Sequence, residues 1–131
     1  MPAYNFQARF APAVLSGAKL CTIRRREAKV GSIAYLFTGM RTNACKRLNQ
    51  GEIVSCEAFE LCRSADGTPR VALNWLIMGQ TCADALAIAD GFDDVRSMLG
   101  WFQSTYGERR CSTDGSYLVF EGFLVTWVPE K

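Results

Sequence analysis

Residues 116–128 read SYLVFEGFLVTWV, a run of β-branched and aromatic residues interrupted at Glu121 and Gly122. Side chains of this kind lose freedom against the turns of a helix but pack well on a pleated surface. A long strand is therefore predicted here, with Gly122 marking a bulge. Such a strand needs partners, and shorter stretches supply them. AYNFQARF alternates Tyr4, Phe6, Ala8 and Phe10 on one face, and KLCTIRRR, GSIAYLFTG, GEIVSCEAFELCR and RVALNWLIM are also strand-like. A turn falls at ADGTP, between the last two.

Two regions depart from this pattern. APAVLSG fits one or two helical turns, with Pro12 near the first position and Gly17 as the stop. Between Gln80 and Gly107, TCADALAIADG reads as a short helix ended by Gly91. A second helix then carries Val95, Met98, Leu99, Phe102 and Tyr106 on one face, with Asp93 or Asp94 as N-cap and Gly107 as stop. The expected architecture is α+β. It is a small, mostly antiparallel barrel or strongly bent sheet of about five or six strands, with a short N-terminal helix and a helical pair before the last strand. Closure of the barrel would remove exposed sheet edges. With 131 residues, and neither repeat nor linker, one domain over 1–131 is predicted.

Composition narrows the chemistry. The chain has no histidine, and its six cysteines contain no CxxC pair. The usual tetrahedral zinc sites and every mechanism with a histidine base are thereby excluded. The cysteines read as small buried apolar residues in a reducing cytoplasm, and no metal or organic cofactor is expected. No apolar run is long enough to span a membrane, and MPAYNFQARF lacks the pattern of a secretory signal, so a cytoplasmic location without membrane contact is expected. The net charge of +2 is unevenly spread: residues 1–47 carry a balance of +8 and residues 48–131 a balance of −6. The basic part can meet a phosphate-bearing partner or pair with the acidic part.

Within the basic part, SGAKLCTIR places Lys19, Thr22 and Arg24 directly after Gly17, whose freedom lets a ligand approach the backbone. Strand alternation puts Thr22 and Arg24 on one face and Cys21 and Ile23 on the core face. An ammonium, a hydroxyl and a guanidinium at one spot suit a phosphate or a polarised carbonyl. A solvated strand end is the alternative. Arg41, Lys46 and Arg47 add further positive charge in RTNACKRLNQGE, read as a loop that either contacts a nucleic-acid backbone or is simply solvated. Trp101, Trp127 and Tyr35 read as core residues, and Trp75 as undecided between core and base stacking.

Gly17, Lys19, Thr22 and Arg24 also match the G-x-K-x-x-T-x-R signature of the ASCH domain family. FQARFAPAVLSG resembles that family's opening strand and helix, and VGSIAYLF its V-G-D strand, with Ser32 in place of the usual Asp. ADGFDDVRSMLGWFQSTYG resembles its E-G-F helix region and FEGFLVTW its closing strand, so the likeness covers nearly the whole chain. The resemblance implies a PUA-like β-barrel with a cleft and an association with RNA, with RNA or a nucleoside or nucleotide as ligand. Gly17, Arg24, Arg26, Phe92, Arg41 and Arg47 are the candidate binding residues. One bacterial branch of the family removes the acetyl group of N4-acetylcytidine with a lysine, a threonine and a carboxylate, which correspond here to Lys19, Thr22 and Asp90. That branch has Glu where this chain has Asp90, one methylene shorter, and a shift of about 1 Å can cost on the order of a hundredfold in rate. In that chemistry Thr22 is the nucleophile and needs a base beside it. Lys19 is that base, or a plain cation for the oxyanion. A non-catalytic adaptor using the basic half is the third reading.

Overall fold

The computed structural model describes residues 2–111 and 115–130. The fold is α+β. In chain order come β1 (Ala3–Phe6), α1 (Ala11–Ser16), β2 (Cys21–Arg24), β3 (Ile33–Thr38) and β4 (Lys46–Arg63). They are followed by β5 (Pro69–Leu73), β6 (Leu76–Ile77), α2 (Gln80–Ala89), α3 (Val95–Tyr106), β7 (Arg109–Arg110) and β8 (Tyr117–Pro129). The sheet is mixed, ordered β1-β3-β4-β5-β6, with β8 pairing β2, β4 and β7. No helix among the described residues is long and apolar enough to cross a membrane.

Backbone contacts group into two compact units. One comprises Met1–Thr22, Glu27–Cys56 and Val125–Lys131; the other comprises Ile23–Arg26 and Glu57–Leu124. In the first unit β1 runs parallel to β3, so the sheet is not uniformly antiparallel. The predicted opening strand stops at Phe6, and Ala8–Phe10 instead form a single 3-10 turn leading into α1. The loop predicted over 41–52 is also shorter than expected. Lys46 and Arg47 already belong to β4, which pairs with β3 through a register shift beside Leu36 and Phe37. That shift turns Leu48 inward while Lys46 and Arg47 stay exposed. Trp127, 1% exposed, anchors this core, edge-on to Phe6 with ring centroids 6.1 Å apart. Gly51 makes room for it: a Cβ there would lie 3.0 Å from Trp127 Cδ1 and overlap the Val128 carbonyl.

In the second unit the expected strand RVALNWLIM is a hairpin. β5 and β6 are joined by Asn74 and Trp75, whose φ values of 49° and 71° are those of a tight two-residue turn. Asn74 is held there by its side chain, which accepts a hydrogen bond from Ala58 N at 3.0 Å. This hairpin and the two-residue β7 raise the six predicted strands to eight among the described residues. β8 is one continuous strand through Gly122. The glycine is needed because a Cβ would overlap the carbonyl oxygen of Arg24. The core of this unit is aromatic, with Phe102 and Phe120 at 4.9 Å, and the exposed Tyr106 ring lies against it at 5.1 Å from Phe120. Trp101 is only half-buried, its ring edge-on to Phe102 at 5.0 Å.

Asp94, and not Asp93, caps α3, its side chain accepting from Ser97 N at 2.8 Å. That backbone donor holds the Asp94 carboxyl below its ordinary value of 3.8. A lowered carboxylate stabilises the fold at all pH values above the unfolded one, and loses that contribution as the pH falls through the folded one. Asp94→Ala should therefore lower the melting temperature at neutral pH. The gap to the wild type should close on acidification, and a gap independent of pH down to strongly acid solution would contradict the cap.

Candidate functional site

The stretch Ser16–Arg24 is built by a helix stop. Gly17 ends α1 in the left-handed conformation, φ 84°, and donates to Val14 O, which turns the chain out of the helix. Lys19 N then bonds Ala13 O at 3.0 Å, folding the turn back over α1. Trp127 N bonds Leu20 O at 3.0 Å, so the chain enters β2 already paired. This geometry carries the Lys19 side chain inward. It is 4% exposed, and its ammonium lies 5.3 Å from the centre of the Phe10 ring and 5.8 Å from that of Phe6. Ring faces attract a cation, which offsets part of its desolvation.

Alternation along β2 is not followed. Thr22 is 5% exposed and its neighbour Ile23 is buried too, while Cys21 and Arg24 are half-buried. Thr22 is thus as enclosed as a core residue, despite its hydroxyl. Lys19, Thr22 and Arg24 each have polar or ring partners, and no buried side-chain nitrogen or oxygen among the described residues lacks one. Arg26 and Arg41 are exposed, Arg26 beyond the end of β2 and Arg41 at φ 65° in the turn after Gly39. Arg47 is exposed on β4, and Tyr35, expected in the core, is half-buried.

Asp90 is the C-cap of α2 in the second unit. Gly91 follows at φ 103° and donates to Ile88 O, while Phe92 N donates to Ala87 O at 2.9 Å. This closes the helix end in a Schellman arrangement. The fit to that motif explains Gly91 and also Phe92, whose half-buried ring packs on Trp101 at 6.0 Å and Phe102 at 6.4 Å. It does not explain Asp90. A helix C-terminus carries partial negative charge and disfavours an anion, yet this carboxylate is only 7% exposed.

Among the described residues, the buried polar or charged side chains are Lys19, Thr22, Asp90 and Ser116. Ser116 was not anticipated; Arg70 donates to its hydroxyl at 3.4 Å, a packing bond that no spacing in the sequence announces. The thiols do not compete as nucleophiles by burial alone. Cys62 is buried, which pushes its thiol up and disfavours the thiolate, whereas Cys45 and Cys82 are exposed, contrary to the expectation of six buried cysteines. No group of three or more His, Cys, Asp or Glu side chains among the described residues is arranged to hold a metal ion. Comparison of the chain with protein-family models, with curated proteins and with solved structures gave no match.

Proposed function

We propose that the chain is an ASCH-like domain of PUA-type barrel architecture that binds a nucleoside or an RNA segment through the residues of its G-x-K-x-x-T-x-R stretch. One observation carries this reading. Three of the four buried polar or charged side chains among the described residues, Lys19, Thr22 and Asp90, are those that the resemblance assigns to the reaction. Burying an ammonium, a hydroxyl and a carboxylate is costly, and apolar residues of similar size would fill the same space at no such cost.

The same burial favours a second reading, hydrolysis of the acetyl amide of N4-acetylcytidine. The Thr22 hydroxyl oxygen attacks the acetyl carbon, its proton passes to a base, and the C–N bond breaks as the departing nitrogen is protonated to the free amine. Water then releases acetate from Thr22. Lys19 serves as base or as the cation at the oxyanion, and Asp90 is the carboxylate that the resemblance assigns to this chemistry.

Incubation with N4-acetylcytidine should release cytidine, and the release should vanish in Lys19→Ala and Thr22→Ala. Binding of RNA that weakens with salt, without turnover, assigns a binding module and removes the hydrolase. A larger binding loss in Arg41→Ala or Arg47→Ala than in Lys19→Ala moves the contact to that basic surface and supports the adaptor. A protein that binds neither nucleoside nor RNA overturns the proposal.

A further inference from the structure

The second unit carries a feature that the motif residues do not use. Trp75 occupies the hairpin turn at φ 71°, a left-handed conformation that favours glycine or asparagine, and it is 76% exposed. Neither burial nor backbone preference accounts for a tryptophan there. Strained, exposed residues of this kind occur where a ligand is to be met.

Beside it lies a recess of about 380 Å3 whose lining includes Trp75, Phe123, Glu60, Glu121 and Arg25. A second recess of about 330 Å3 is lined by Tyr106, Phe120 and Arg109 and shares Arg25 and Glu121 with the first. Arg25 is exposed just past the end of β2, and its guanidinium lies 4.7 Å from the centre of the Tyr106 ring and 5.2 Å from that of Phe120. One cation therefore stands between two aromatic-walled hollows, each with carboxylates at its margin.

We propose that this paired recess binds two consecutive nucleotides of a single-stranded RNA. Arg25 takes the linking phosphate, Trp75 stacks one base, and Glu60 and Glu121 accept hydrogen bonds from the exocyclic amino group of an amino-bearing base. The chemistry of each part fits. Bases stack on exposed aromatic rings whatever their identity. A guanidinium stacked on rings keeps its outward donors for a phosphate. Carboxylates repel phosphate but accept from the cytosine N4 amino group. The choice of RNA rests on the proposed function, whereas the surface itself uses none of Lys19, Thr22 and Asp90.

Binding of fluorescently labelled oligo(C) and oligo(U) ribonucleotides, on the order of ten nucleotides long, tests it. Oligo(C) should bind more tightly than oligo(U), which has no amino group. Trp75→Ala should weaken oligo(C) about tenfold or more, and Trp75→Phe should restore most of the loss. Arg25→Ala should reduce the magnitude of the slope of log affinity against log salt by about 0.7, which Trp75→Ala should leave unchanged. In a Lys19→Ala background Trp75→Ala should still weaken oligo(C) by the same factor, so loss of the motif chemistry and loss of this surface are told apart. Trp75→Ala and Arg25→Ala proteins that bind like the wild type overturn the proposal, as does indifference between the two oligonucleotides. Self-association abolished by Trp75→Ala, without oligonucleotide binding, assigns the hairpin to contact between copies and also overturns it.

Discussion

Trp127→Ala should destabilise the protein by about 3–5 kcal/mol, the usual cost of removing a fully buried large aromatic side chain. Trp127 is 1% exposed, its ring meets Phe6 edge-on, and Gly51 has no side chain because the indole and the adjoining backbone occupy that space. Truncation would leave a cavity bordered by a strand backbone that is hydrogen-bonded on to Leu20, so the surroundings have little freedom to collapse into it. Against a typical total of about 5–15 kcal/mol for a domain, the loss is about a fifth or more. The measurement is the urea midpoint of Trp127→Ala beside that of Trp75→Ala. Trp75 is 76% exposed, and its removal should leave the midpoint nearly unchanged. Equal shifts for the two variants would contradict the assignment of the core.

Lys19→Met should separate chemistry from stability. Methionine keeps the length and the apolar stem, and its sulfur makes favourable contacts with rings such as those of Phe6 and Phe10. Methionine fills most of the buried space that alanine would leave empty, so the melting temperature should fall less in Lys19→Met than in Lys19→Ala. Turnover of N4-acetylcytidine should fall by on the order of 10²–10⁴, the usual contribution of a positioned acid or base. Lys19→Met with wild-type turnover would reduce Lys19 to a structural role.

Local chemistry was readable where one residue's conformational preference settles the matter. Gly17 and Gly91 stop helices because they take positive φ, Pro12 opens α1, and an acidic residue before Val95 caps α3; all are legible in the sequence and present in the fold. Misreadings arose where a distant neighbour decides. RVALNWLIM has the composition of one strand, and nothing adjacent announces that Asn74 will be fixed in the turn by a bond to Ala58. Lys46 and Arg47 look like loop residues until β3 supplies a partner strand and a register shift that leaves them outside. Gly122 reads along the chain as a flexible point in its strand, and only the fold shows that Arg24 O occupies the place of a side chain there.

The candidate residues divide in the same way. The identity and spacing of Lys19, Thr22 and Arg24 could be read along nine residues of chain, because a turn followed by a short strand places them with local geometry alone. Their burial could not. Alternation assigns Thr22 to an open face, yet packing encloses it, and Lys19 is drawn inward by two rings that precede it by more than a helical turn. Propensity, capping and turn chemistry act between neighbours and are written in order along the chain. Enclosure, close backbone approach and the juxtaposition of Arg25 with Tyr106 and Trp75 depend on which distant segments pair, and only the folded chain specifies that.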